Sequence, residues 1–227
     1  MATNLFDPIK TMSKVTDAVI VGFSTGKESI VTLDLCFKYF KRVQPYFLYS
    51  VPGVSFQERT LQWYENKYGV QIERLPGTNV SEFFHYGSFR IGDPTFPIVS
   101  IADIHKYLRL KYDIWWVACG ERMDDSVQRR AMIKNQSTIY VNGGRFYPVA
   151  SWKKSEIYDY IKFHKLYLGA DSKALGHSIR MLHPDGLNFL RENYPDDLQK
   201  LLHLYPFAAA TFKREEFLNG KEQVSSV

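Results

Sequence analysis

The sequence predicts an α/β fold: a parallel sheet with helices on both faces, followed by a mostly helical C-terminal region. Three observations carry this. Short apolar, strand-like runs alternate with helically spaced ones as far as Cys119. Gly, Pro or Ser closes most of these runs. Past Ser151 the spacing is mostly helical. Strands that alternate with helices require crossover connections, and these make the sheet parallel.

Asp17-Ala-Val-Ile-Val-Gly-Phe23 is Val/Ile-rich, the pattern of a strand buried on both faces. Ser24-Thr-Gly-Lys-Glu-Ser29 follows as a tight turn. Ile30 to Tyr39 then opens a helical spacing at Ile30, Leu33, Phe37 and Phe40. Pro45 to Val51 reads as a second strand, broken by Pro52-Gly53. Ser55 to Tyr68 reads as a helix, with Ser55 as N-cap and Glu58 completing a capping box. Gly69 is its natural C-cap. Val70 to Leu75 is a third strand, closed by Pro76-Gly77. The stretch from Asn79 to Pro97, rich in Phe, Gly and Pro, reads as an irregular loop or short helix. Ile101 to Lys111 is a helix and Ile114 to Cys119 a fourth strand. Lys154 to Lys165, Pro184 to Asn193 and Asp196 to Tyr205 are helical, and Asn219 to Val227 reads as frayed.

The chain has 227 residues, 45% hydrophobic and 15% aromatic, so disorder is excluded as its main state. The formal charge of +5 favours anionic ligands such as nucleotides or nucleic acid. It equally describes a mildly basic surface, because no long run concentrates it. Cys36 and Cys119 are the two cysteines. They exclude a disulfide framework and any four-cysteine metal or iron–sulfur site built from one chain. They also point to a reducing compartment. No run of eighteen apolar residues predicts a membrane span. Met1 to Lys14 lacks the apolar core of a signal peptide, so the cytoplasm is the expected location.

The turn Ser24 to Ser29 sits where α/β sheets place ligands, between a strand's carboxyl end and a helix start. Backbone N–H groups and the helix dipole attract phosphate there. Gly26 permits close approach, Lys27 adds a positive charge, and Ser24 and Ser29 supply hydroxyl groups. It is not a Walker A loop: Gly22 and Gly26 enclose only three residues, and Glu28 stands where Ser or Thr is needed. An ordinary turn with a capping serine is the alternative.

The turn resembles the pyrophosphate loop Ser-Gly-Gly-Lys-Asp-Ser of the adenine nucleotide alpha-hydrolase-like superfamily, with Thr25 replacing a glycine and Glu28 an aspartate. Gly120-Glu-Arg122-Met-Asp-Asp-Ser126-Val-Gln-Arg129 resembles the Gly-x-Arg…Ser-x-x-Arg segment of phosphoadenosine phosphosulfate (PAPS) reductases. Phe146 to Ile161, with Pro148 and Trp152, resembles that family's Pro-x-x-x-Trp stretch. The resemblance implies a Rossmann-like sheet binding an adenine nucleotide, ATP or PAPS, with magnesium entering on its phosphates. It divides the chain into a nucleotide-binding domain, residues 1–150, and a helical extension packed on it, residues 151–227. It assigns Ser24, Thr25, Gly26, Lys27, Glu28, Ser29, Gly120, Arg122, Ser126 and Arg129 to nucleotide binding. Lys27, Arg122 and Arg129 would carry the chemistry, and a homodimer is the reasonable assembly. Guanidinium forks suit phosphate or sulfate oxygens. Solvated arginines paired with Glu121, Asp124 or Asp125 are the alternative.

Reductases of this family resolve their sulfonucleotide with a C-terminal cysteine, whose thiolate is the nucleophile. No cysteine follows Cys119 here. Where the family carries Ser-Ile-Gly-Cys, the chain reads Ala174-Leu-Gly176-His177-Ser-Ile-Arg180. The paired cysteines of the related iron–sulfur enzymes are missing too, so no iron–sulfur cluster is expected. Cys36 reads as a core residue, and Cys119 as a packed residue bordering the cleft. No histidine pair has metal-ligand spacing, so a metal held by protein ligands alone is not expected. Asp124, Asp125 and Glu28 either help hold magnesium or stay exposed. Phe83-Phe84-His85-Tyr86 suits a lid or a partner surface.

Three readings remain open. One is an enzyme that cleaves ATP between the α and β phosphates and adenylates a nucleic-acid or protein acceptor, or performs sulfonucleotide chemistry. The second is a non-catalytic regulatory module that holds ATP or PAPS. The third is a PAPS reductase whose thiol comes from Cys119 or another protein.

Overall fold

The structure, a computed structural model, describes residues 5–176, 178–214 and 217. His177 and the end expected to fray lie outside them. In chain order the elements are α1 (Asp7–Met12), β1 (Ala18–Gly22), α2 (Lys27–Tyr39), β2 (Arg42–Tyr49), α3 (Ser55–Tyr68) and β3 (Glu73–Pro76). Then come α4 (Thr78–Tyr86), α5 (Ile101–Tyr112), β4 (Val117–Ala118), α6 (Val127–Gln136), β5 (Ile139–Tyr140) and β6 (Arg145–Phe146). The remaining helices are α7 (Lys154–Phe163), α8 (Ala170–Leu175), α9 (Pro184–Asn193) and α10 (Pro195–Leu204), with a 3₁₀ turn at Pro206–Ala209.

The strands form one Rossmann-like sheet in the order β3-β2-β1-β4-β6-β5. β1 runs parallel to β2, with Gly22 opposite Tyr46, and parallel to β4, with Ile20 opposite Val117. β6 continues the parallel pairing on β4. β5 is antiparallel to β6, so this edge departs from the all-parallel expectation. The reason is length: the short link through Gly143 and Gly144 allows a hairpin but no crossover. Pro45 stands inside β2 and cannot donate to the ladder. The Gln44 side-chain amide instead donates to the carbonyls of Pro45 and Gln71, at 3.0 and 3.1 Å.

The described residues group into two compact units. The first comprises 5–49, 56–75, 100–176 and 178 and holds the sheet; the second comprises 50–55, 76–99, 179–214 and 217. In the first, Val19, Ile20, Val21, Ile30, Leu33 and Cys36 are fully buried. Cys36 is therefore the core residue its position suggested. Trp152 is buried as well, donating its indole N–H to the Leu5 carbonyl at 3.0 Å. Asp34, buried on α2, accepts from the hydroxyls of Tyr68 (2.6 Å) and Tyr160 (2.7 Å) and pairs with Lys38 at 2.7 Å. Burial alone would lift this carboxyl; the bonds from Lys38, Tyr68 and Tyr160 outweigh it and hold Asp34 below the usual carboxylate range.

In the second unit, Asp197 is buried and accepts from the Ser55 backbone N–H and hydroxyl at 2.8 and 2.6 Å. The capping box expected at Ser55 is thereby replaced: Ser55 bonds Asp197, and Glu58 pairs with Arg74 at 2.9 Å. Gly69, at φ 65°, does terminate α3. A capping box does form at α5, between Ser100 and Asp103. The Asn79–Pro97 stretch resolves into α4 and an irregular segment after Gly87.

Candidate functional site

Between β1 and α2 the chain turns within four residues, and two serines pin the turn. The Ser29 hydroxyl donates to the Gly26 carbonyl (2.8 Å) and accepts from the Ser24 N–H (3.1 Å). The Ser24 hydroxyl lies 3.1 Å from it. These hydroxyls thus shape the loop from within. Gly26 has an ordinary extended backbone, but a Cβ there would lie 2.3 Å from Ser178 Oγ. Close approach, and no special dihedral, demands the glycine. Thr25 is the strained position: φ is +60°, the residue is buried, and its Oγ1 has no hydrogen-bond partner among the described residues. A β-branched residue in the left-handed region costs on the order of 1–2 kcal/mol. This is the place where the resembled loop carries a glycine.

The segment after β4 lies directly on the first turn of α2. A Cβ on Gly120 would come within 3.1 Å of Ser29 N. Arg122 is buried, and its guanidinium donates to the Trp152 carbonyl (3.0 Å) and to Asp125 (2.6 Å), with Glu28 at 3.4 Å. Its Nε has no partner among the described residues. Lys27 Nζ lies 3.1 Å from Glu28, and the half-exposed Arg129 lies 3.3 Å from Asp125. Lys27, Glu28, Arg122, Asp125 and Arg129 therefore form one chain of alternating charge joining the two loops. The longer Glu28 side chain supports it by touching both Lys27 and Arg122. Ser126 caps α6, accepting from the Arg129 N–H at 3.1 Å. Asp124 is exposed and lies 3.4 Å from Arg130. The Pro148–Trp152 stretch serves this site through two carbonyls, that of Trp152 on the Arg122 guanidinium and that of Ala150 on the Met123 N–H (2.8 Å).

A cavity of about 350 Å³ opens at the carboxyl ends of β1, β2 and β4. This is the switch point of the sheet, where the chain, having run outward from β1 through β2 to β3, returns to set β4 on the other side of β1. Of the residues assigned from sequence, Ser24, Glu28, Ser29, Gly120 and Arg129 line it. Thr25, Gly26, Lys27, Arg122 and Ser126 are not among the residues that line it. Tyr46, Leu48, Glu121 and Ser178 also line it and were missed. Glu121 sat inside the Gly-x-Arg motif and was readable there as the variable residue. Ser178 carried no local signal, since only folding brings it onto Gly26.

The cavity floor is kept neutral. The Tyr46 phenol lies 2.9 Å from His105 Nε2. Burial, then the charges of Arg109 and Arg145, push His105 down to about 4. Burial raises the Tyr46 phenol well above its ordinary value. Cys119 lines the cavity as a thiol: burial first, then the Glu121 carboxylate, raise it well above its usual range. Such a group is a poor nucleophile. Glu121 Oε2 is itself buried without a partner among the described residues.

The family model of the phosphoadenosine phosphosulfate reductase domain matches residues 18–169. A search of curated proteins finds no match. Among solved structures, the PAPS reductase of Candida auris, in a phosphate complex, aligns with a TM-score of 0.51 at 14% identity. That alignment covers 77% of this chain and 86% of the other. The tRNA thiolase of Methanococcus maripaludis, with its 4Fe-4S cluster, gives 0.48 at 13% identity over 91% and 78%. The NH3-dependent NAD synthetase of Campylobacter jejuni, in complex with nitrate, gives 0.48 at 17% over 94% and 92%. At these identities the likeness is one of fold.

The cofactor expectation needs correction. It excluded an iron–sulfur cluster, yet the thiolase on a similar fold carries one, so that exclusion is withdrawn. In this chain Cys36 and Cys119 are both buried and free. Among the described residues no group of three or more His, Cys, Asp and Glu is placed to hold a metal ion. Among them, too, no helix is long and apolar enough to cross a membrane.

Proposed function

The chain belongs to the phosphoadenosine phosphosulfate reductase domain family, and we propose that it is an adenine-nucleotide enzyme whose chemistry avoids a C-terminal thiol. The observation that carries this reading is the cavity at the switch point, walled by the amino-terminal turn of α2 and the segment after β4. Backbone N–H groups and the dipole of α2 favour a phosphate there. Lys27 adds positive charge at the first position of the helix. Arg129, half exposed at the end of the charge chain and paired only with Asp125 among the described residues, is the guanidinium placed to meet a phosphate or sulfate oxygen. Arg122 is committed to Trp152, Asp125 and Glu28, and its role is to position both loops.

With ATP as substrate, an acceptor nucleophile attacks the α-phosphorus. The bond to the bridging oxygen breaks, pyrophosphate leaves with the electron pair, and AMP remains on the acceptor. The protein contributes positioning and charge neutralisation. The acceptor is a nucleic acid or a protein. The reductase reading with Cys119 as thiol loses support, because that thiol is buried and protonated.

Pyrophosphate release on mixing with ATP tests the proposal. Wild type is expected to release it and Arg129→Ala to do so at least about tenfold more slowly, about 1.4 kcal/mol in barrier. Tight nucleotide binding without release, with any candidate acceptor, would instead favour the regulatory module. The internally closed charge chain is the observation that speaks for that second reading.

A further inference from the structure

The amino-terminal ends of the parallel strands, opposite the cavity, gather a second set of groups. Arg42 opens β2, Trp115 precedes β4, and Arg145 opens β6. Trp115 is 54% exposed and Leu110, on α5, 76% exposed. They share an open groove of about 320 Å³ with Lys106, Arg109 and Asp113. Arg109 lies 4.2 Å over the Trp115 ring. It donates to the Trp115 carbonyl (2.8 Å) and the Gly143 carbonyl (2.6 Å). The indole is thereby held rigid on one side with much of its surface in solvent.

We propose that this edge binds single-stranded nucleic acid, with a base stacked on the open side of Trp115 and phosphates met by Arg42, Lys106 and Arg145. Charge selects this occupant. Arg42 donates to the Asp113 carbonyl and Arg109 to those of Trp115 and Gly143, and among the described residues neither has a carboxylate within ion-pair distance. Arg145 has no carboxylate within ion-pair distance among the described residues. Its charge and that of Arg109 are felt at His105. Asp113 is the carboxylate in the groove itself; Asp103 near Lys106 is taken up in capping Ser100. A second copy of this chain would set these cations against themselves. An exposed aromatic ring among unneutralised cations is the common form of single-strand binding sites. α5 also links this edge to the cavity, from Ile101 in its wall to Leu110 in the groove. That is about 14 Å at 1.5 Å per residue.

The inference stands on these residues whether or not the cavity takes a nucleotide. Its test is fluorescence anisotropy with labelled oligothymidylate and oligouridylate, following tryptophan emission in parallel. Both strands are expected to bind, more weakly as salt rises, and to quench emission. Trp115→Ala should weaken binding about tenfold and remove the quench. Lys106→Glu, on an exposed side chain outside the core, should weaken it too and flatten the salt dependence. Failure of both strands to bind at low salt would overturn the proposal, as would affinities that neither substitution changes. A wild-type dimer that Trp115→Ala dissociates, without any effect on oligonucleotide affinity, would also overturn it by assigning the edge to a second copy.

Discussion

Two buried polar regions of this chain treat charge in opposite ways. Around Asp34 a carboxylate is kept ionised, and each of its oxygens has a partner: Tyr68 on one, Tyr160 and Lys38 on the other. Around the cavity, His105, Tyr46 and Cys119 are kept neutral. There Thr25 is strained, and Thr25, Glu121 and Arg122 each hold a polar atom without a partner among the described residues. The first region is what a buried charge needs in order to be structural. The second leaves polar groups uncompensated and a backbone in strain, which is the usual mark of a site built to hold something else.

The contrast is sharpest under substitution. Asp34→Ala removes the acceptor for two hydroxyls and an ammonium at once. It should cost about 3 kcal/mol in urea unfolding, with nucleotide affinity unchanged in the fraction that stays folded. An equal loss of affinity would merge the two regions into one.

Acid should probe the neutral region next. His105 is depressed to about 4 in the folded state against 6.5 unfolded. Between these values the unfolded chain binds the proton and the folded one does not. Stability is therefore full above about pH 6.5 and falls as pH drops toward about 4, by about 3 kcal/mol in all. His105→Gln should flatten that part of the curve. Asp34 has the opposite starting point, a charged folded state, and its contribution is lost only at lower pH, as the pH falls through its depressed value.

Thr25→Gly should have the smallest effect on stability and the opposite sign. Relief of the left-handed threonine and of its buried hydroxyl should stabilise the fold by about 1 kcal/mol, visible as a raised unfolding midpoint. A loss of stability would mean that Thr25 makes a contribution its geometry does not account for.

How much of this was legible in the sequence follows from the range of each interaction. β1 and the turn after it were readable because a strand buried on both faces is continuously apolar and a glycine and a lysine follow it. The end of α3 was readable from Gly69 and the start of α9 from Pro184. α6 escaped because its sequence, Val127–Gln136, is largely polar and buries only Ile133. β5 and β6 escaped because two residues carry no period. The capping box at Ser55 failed because distant partners, Asp197 and Arg74, took both of its side chains. In the site, Lys27, Glu28, Arg122 and Arg129 stood out by type, but their mutual pairing did not. That pairing decides that Arg129 is available while Arg122 is not. Tyr46 and Ser178 reach the cavity from other segments, and no pattern near them in the chain says so.

The central claim is that the turn at the start of α2 holds the phosphates of an adenine nucleotide. Calorimetric titration of ATP, PAPS and adenosine 3′,5′-bisphosphate into wild type and Lys27→Ala tests it directly. The account predicts that at least one of them binds wild type and that Lys27→Ala weakens that binding at least about tenfold, about 1.4 kcal/mol. Absence of binding by all three, or equal affinity in both proteins, would contradict it.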